Sequence, residues 1–421
     1  MAPWQGCSCR ISARKREDRA ELPGLAPQVA HTNHARLLDV CQRQASYSFT
    51  IEGLLREETM IDKGATHGPG CRCGGANGIV TLSRRRLLTG TAALGGMAAG
   101  GISLSWPSLA QAKPHRIDVH HHISPPTWLD AVKKAKLDNP PIANWSVQKS
   151  LEDMDKAGIA TALTSPTTPQ IEFLGKEEAA AICRSSNEYA KKLMSDHPGR
   201  FGVFAMLPLP HVDETLKEIA YAFDMLKVDG VGLMTSYGKK WLGDGSFSPV
   251  WEELNRRKAI VYTHPTTNAC CVNLVPGVPV AVVEFAADTT RTIASMILSG
   301  TSQKYRDISW IFSHGGGALT AVAERFQVQL VSTPPYKDKF TRESMELELK
   351  RFYYDTAQVS QSVTLATLAK LIPVSQIVYG TDYPYRVGAD HTLGVSANFS
   401  GADLAAIERG NALRLIPRLN V

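Results

Sequence analysis

Net charge is nearly missing from the larger part of this chain. Of 421 residues, those from 113 onward carry 33 Lys+Arg against 32 Asp+Glu, and the formal charge of +6 comes mainly from residues 1–112, with 13 against 8. A near-neutral body excludes a nucleic-acid partner, which requires a clustered basic surface. Cysteine is scarce in the body too. Cys7, Cys9, Cys41, Cys71 and Cys73 precede it, leaving Cys183, Cys270 and Cys271, an odd number without framework spacing. Adjacent cysteines rarely bond to each other, so no disulfide scaffold is expected. Cys71-Arg72-Cys73 is half a zinc site with no second pair to complete it. Long apolar runs are also absent. The uncharged stretch Leu87–Ala112 is interrupted by Gly-Gly pairs and Pro107, too weakly apolar to span a membrane stably. With 43% hydrophobic residues the chain can still bury a large core.

That stretch does read as an address. Ser83-Arg84-Arg85-Arg86 precedes it and Ala110-Gln111-Ala112 ends it, giving a basic region, a mildly apolar segment and a small-x-small cleavage site. The arginine pair resembles the twin-arginine class, which exports folded proteins and would let a metal site load before export. Residues 83–112 are therefore expected to be a signal removed after Ala112, leaving an exported or periplasmic protein with no stable membrane association. Residues 1–82 are assigned no fold. They are expected to be disordered or to follow from a misassigned start, with Met60 the better one.

From Ile117, short β-branched runs alternate with longer helical patterns. The runs are Ile117–His121, Ala160–Ser165, Gly202–Leu207, Gly230–Thr235, Ile260–His264, Ile308–His314, Phe352–Thr356 and Ile377–Asp382. Helical stretches include Lys176–Asp196, Val212–Leu226, Thr290–Ser299, Ala318–Gln329 and Val363–Leu371. Eight alternations predict an α/β protein in which residues 113–421 form one (β/α)₈ TIM barrel, with its site at the C-terminal strand ends. A doubly wound sheet, the alternative, would hold the first and last runs too far apart to share an ion.

Metal-binding residue types fall at those ends: His120 and His122 on the first run, His264 on the fifth, His314 on the sixth and Asp382 on the eighth. Residues i and i+2 of a strand share a side, so His120 and His122 can meet one ion. Imidazoles with one carboxylate suit a divalent metal such as zinc, and an open position admits water or substrate. The pattern is that of a metal-centred enzyme.

Ile117-Asp118-Val119-His120-His121-His122, Tyr262-Thr263-His264-Pro265, Phe312-Ser313-His314-Gly315-Gly316-Gly317 and Tyr379-Gly380-Thr381-Asp382-Tyr383-Pro384 resemble the amidohydrolase-related decarboxylases. That group, within the metal-dependent hydrolase superfamily, includes aminocarboxymuconate-semialdehyde, γ-resorcylate and 6-methylsalicylate decarboxylases. The similarity runs from about His115 to Leu415. It implies that His120, His122, His264 and Asp382 bind one divalent ion, zinc or else manganese, with His314 as the acid/base beside it. A single ion is expected because no bridging lysine ends the fourth run, Gly232-Leu233-Met234-Thr235. Gly315-Gly316-Gly317 would let backbone approach the substrate closely.

Arg325 matches an arginine that in the semialdehyde enzyme grips a carboxylate in the partner subunit's site, implying a homodimer. A second carboxylate-binding arginine of that enzyme is replaced here by Ser150, and the segment Ser150–Ala162 is closer to 6-methylsalicylate decarboxylase. The implied reaction is non-oxidative decarboxylation of a small aromatic or unsaturated carboxylate, hydroxybenzoate-like with a single carboxylate. The alternative is a metal-dependent lactonase or amidase, and a metal-binding scaffold without turnover is a third reading. Asp118 is expected to orient a metal histidine and His121 to pack in the core. Asp288 is expected to tie helix to loop, and His115, His197, His211 and His391 to lie at the surface.

Overall fold

The computed structural model describes residues 115–420; residues 1–114, with the expected leader, lie outside them. Eight parallel strands follow one another around a barrel: β1 (Arg116–His122), β2 (Ile159–Ser165), β3 (Phe201–Met206), β4 (Gly230–Met234), β5 (Ile260–His264), β6 (Ser309–Phe312), β7 (Tyr353–Asp355) and β8 (Ile377–Val378). The ring closes between β8 and β1. Val119 donates its N–H to Tyr379 O at 2.9 Å, Asp382 to His120 O at 2.9 Å and His122 to Tyr383 O at 2.8 Å. A doubly wound sheet has no such closure. Closure is also what sets Asp382 beside the first-run histidines, 260 residues earlier in the chain.

Strands buried on both faces read as near-continuous apolar runs, as in other parallel barrels. Inside, Ile117, Val119, Leu163, Phe204, Tyr262, Ile311 and Val378 pack together with Ala412, Ile416 and Leu419 from the C-terminal segment. Outside, Val203, Ala205, Val231, Leu233, Trp310 and Phe312 pack with the helices. Strict alternation would leave the β1 histidines facing away from the Ile117–Val119 side. The register of β1 against β2 shifts between Asp118 and His121, and such irregularities re-aim side chains. His120 and His122 thereby reach the barrel mouth.

The helix Lys176–Asp196 has the expected bounds, with Glu177 and Glu178 in its first turn where the helix dipole favours negative charge. The helix Val280–Leu298 begins ten residues before the expected Thr290. Its opening Val-Ala-Val-Val looks strand-like by local preference, but Pro279 precedes it and tertiary packing decides. Cys270 and Cys271 are joined as a vicinal disulfide, against expectation. No helix among the described residues is long and apolar enough to cross a membrane.

Candidate metal centre

The strand ends deliver four imidazoles and one carboxylate to a single buried point. His120 Nε2 lies 3.1 Å from His122 Nε2, and the two lie 3.2 and 3.3 Å from Asp382 Oδ1. The His264 ring is 4.7 Å from His122 and 5.2 Å from His120, centroid to centroid. His314 is 5.0 Å from His120 on the same measure, with Nε2 3.4 Å from Asp382 Oδ2. Donor atoms of His120, His264, His314 and Asp382 all fall within 4.8 Å of one another.

Three of the rings are held from behind. His120 Nδ1 lies 2.8 Å from Asp355 Oδ2, His122 Nδ1 3.2 Å from Ser165 O, and His264 Nδ1 2.8 Å from Pro265 O. Nδ1–H donation to these oxygens leaves three Nε2 lone pairs facing inward. The buried Asp382 Oδ1 among them accepts no hydrogen bond. Three lone pairs and an unsatisfied carboxylate oxygen repel one another unless a cation sits between them, so the donor set fits a divalent metal.

The electrostatics agree. Burial opposes charge on His120, but Asp355 and Asp382 outweigh it and push this ring up to about 10. Without an ion the centre takes up a proton in its place. Burial, reinforced by the neighbouring imidazoles, holds His264 well below the usual histidine range. Burial also lowers His122. Asp382 stays well below the carboxylate range despite burial, chiefly because the charge on His120 favours its anion.

Backbone strain is found here too. His314 and Asp382 adopt φ of +55° and +67°, conformations that cost non-glycine residues about 1–3 kcal/mol and persist where structure enforces them. His314 N–H donates to Asp355 Oδ1 at 2.7 Å, fixing the turn. Gly317, also at positive φ, lies against the Ala286 carbonyl, where a Cβ would collide.

A cavity of about 630 Å³ opens above the centre. Phe285, Ala286 and Val359 supply apolar wall, while Asn139, Thr167, Gln358, Tyr385 and Arg386 supply polar groups around His264, His314 and Asp382. Cavities of this size and mixed lining suit small molecules.

Five expectations need correcting or placing. Asp118 does not touch a metal-facing ring. It accepts from Thr381 Oγ1 at 2.6 Å and Thr381 N–H at 3.0 Å, and pairs with His121, so it fixes the loop that carries Asp382. The carboxylate behind His120 is Asp355, at the end of the seventh run and obeying the same strand-end rule, yet overlooked. His391 is a buried helical residue 2.9 Å from Thr356 Oγ1, because its helix packs against the barrel instead of forming a surface loop. His121 is a core residue, bonded to Ser150 Oγ and stacked on Tyr383. Asp288 accepts from Thr235, Ser236 and Trp241, tying helix to loop. Arg325 ends the helix Leu319–Arg325, exposed and apart from the residues lining its own chain's cavity.

A histidine-and-carboxylate centre at the C-terminal mouth of a (β/α)₈ barrel defines a class of metal-dependent enzymes. The family model described as amidohydrolase (Amidohydro_2) matches residues 117–418, and the chain belongs to that family. Its relatives include the decarboxylase macB of Penicillium terrestre, 33% identical over 327 residues that cover 73% of this chain and 96% of that protein. The 6-methylsalicylic acid decarboxylase of Penicillium expansum is 33% identical over 318 residues, covering 72% and 97%. The fold is shared with a dihydroxybenzoic acid decarboxylase from Polaromonas sp. JS666, solved with manganese and the inhibitor 2-nitroresorcinol. That match has a TM-score of 0.62 at 20% identity, covering 73% of this chain and 98% of that one. Within the family this chain is a metal-dependent, non-oxidative decarboxylase.

Proposed function

We propose that the substrate is a small aromatic acid with one carboxylate beside a ring oxygen, of the 6-methylsalicylate kind. The convergence of His120, His122, His264 and Asp382 beneath a half-apolar cavity carries this reading, and the fungal relatives support the substrate class. These four residues would hold one divalent ion, zinc or else manganese. When bound, the ion supplies positive charge that fixes the substrate's oxygens and stabilises charge developing on them. His314 faces the cavity and delivers a proton to the ring carbon bearing the carboxylate. The bond to the carboxylate then breaks, its electron pair restores the aromatic ring, and CO₂ leaves. Metal analysis with a panel of hydroxybenzoates and lactones tests the reading. CO₂ release from an arenoate is expected; hydrolysis of lactones with no CO₂ from any acid would refute it.

The same reading includes a homodimer in which Arg325 serves the neighbouring site. Its exposure and the uncharged, apolar segment Cys270–Val283, in which Leu274, Val275 and Val282 are exposed and Val282 lines the cavity, support that arrangement. Inactive Arg325→Ala and His314→Ala homodimers, dissociated and mixed, should recover roughly a quarter of wild-type activity. No recovery in verified heterodimers would confine Arg325 to its own chain. Export by the twin-arginine route rests on Arg84 and Arg85. Lysine at both positions should leave precursor in the cytoplasm, and unchanged export would point to another route.

A further inference from the structure

We propose that Arg386 binds the substrate carboxylate and so determines selection of acids over neutral phenols, an inference that rests on the aromatic-acid reading above. A carboxylate entering this cavity needs a lasting positive partner besides the ion. Among the side chains lining it there is one guanidinium, that of Arg386, and no lysine. Ser150 replaces the second carboxylate-binding arginine of the semialdehyde enzyme, and it is buried against His121. Arg325 lies outside its own chain's cavity lining. Within one chain the task falls to Arg386.

Its geometry suits the task. Arg386 Nε donates to Gln358 Oε1 at 2.8 Å, and Gln358 Nε2 donates to Asp382 Oδ2 at 2.6 Å. Those two bonds fix the orientation of the Gln358 amide, because its oxygen must face the guanidinium and its NH₂ the carboxylate. They also hold the guanidinium two hydrogen bonds and one amide away from the metal-facing aspartate. No Asp or Glu among the described residues forms an ion pair with Arg386, so its Nη1 and Nη2 groups have no internal counter-charge. A guanidinium anchored through Nε can present that edge to both oxygens of a carboxylate. Gln358 holds Asp382 Oδ2 while leaving Oδ1 for the ion, and the same amide sets the distance from ion to carboxylate subsite. Arg386 thus binds the departing group in the ground state. It acts on substrate capture, while proton delivery rests with His314.

The test compares metal-loaded wild type, Arg386→Ala and Arg386→Lys. KM for the best arenoate, kcat, bound metal, and inhibition by the product phenol, which lacks the carboxylate, are measured together. Loss of a charge-assisted bidentate contact should raise KM roughly ten- to a hundredfold in Arg386→Ala. Phenol inhibition should stay within about twofold and bound metal should be retained, with lysine restoring part of the KM. An unchanged KM would overturn the proposal. So would a rise in phenol inhibition constant parallel to KM, or a KM change explained by metal loss, since both place Arg386 in holding Asp382 alone. If wild type released no CO₂ from the panel, the reading of the reaction would fail. Direct titration of the same arenoates would still decide Arg386, equal binding to wild type and Arg386→Ala overturning it.

Discussion

Replacing Asp355 with Asn perturbs the centre without removing a metal-facing donor. The Asp355 carboxylate takes His120 Nδ1–H on Oδ2 at 2.8 Å and the backbone N–H groups of His314 and Ala357 on Oδ1 at 2.7 and 3.1 Å. An amide of the same shape offers one oxygen. If that oxygen keeps the backbone donors, the NH₂ faces His120 Nδ1, and the ring must move its proton to Nε2, the atom the ion requires. If it turns to His120, the NH₂ opposes two backbone N–H groups. Both orientations contain a donor-donor conflict. Partners that orient metal-binding histidines are worth about 10–100-fold in metal affinity, or about 1.4–2.8 kcal/mol. The pH dependence should change as well. In the metal-free protein, Asp355 and Asp382 push His120 up to about 10 against burial, so below that pH a bound proton must leave before the ion enters. Lower pH therefore favours the metal-free form. Between pH 7 and 9 wild-type affinity should rise by up to about tenfold per unit, because His122 and His264, both shifted down, add no proton there. Without the Asp355 charge the slope should flatten. Titration of metal-free proteins against zinc with a competing chelator at pH 7, 8 and 9 measures both effects. Wild-type affinity and slope in Asp355→Asn would refute the assignment.

His120→Ala and Asp382→Asn should lose most bound metal, whereas His314→Ala should keep it and lose most turnover; equal metal loss in all three, read by metal analysis, would make His314 a ligand. Burial lowers His391 to about 4, so the unfolded chain binds a proton between about 6.5 and 4 that the folded chain excludes. Stability should fall as pH drops through that window, by about 3 kcal/mol at most from this group. His391→Gln should remove that share, seen as a smaller loss of unfolding free energy between pH 7.5 and 5 in denaturant titrations, and parallel losses in both proteins would show that His391 is protonated when folded.

Much of the barrel was legible because each strand carries its own signal. The run Ile260–His264 has the observed bounds, and the helix Lys176–Asp196 agrees at both ends. Strand ends were equally readable as places for chemistry, which is why His120, His122, His264, His314 and Asp382 could be named and why the structure finds them together. What stayed hidden depends on contacts across the barrel. The β1 irregularity arises from pairing with β2, and no pattern within Arg116–His122 announces it. The eighth run was expected to continue to Asp382, yet β8 stops at Val378. Beyond it the backbone of Gly380 passes so close to the Cβ atoms of His120 and Asp355 that a side chain there would press on both.

Asp118 and Asp355 show the same limit in a sharper form. Each is a buried aspartate within a strand, and local sequence offers no means of telling which stands behind His120. Proximity in the chain favoured Asp118, two residues away. Ring closure decides otherwise: joining β8 to β1 brings Thr381 onto Asp118, which with the backbone N–H of His120 and the His121 ring leaves no free edge for the His120 ring. Asp355, two strands around, then meets both the His120 ring and the His314 backbone. One carboxylate thus couples a histidine of the candidate metal centre to the turn that carries His314. That link joins residues 120, 314 and 355, and it exists only because the barrel closes.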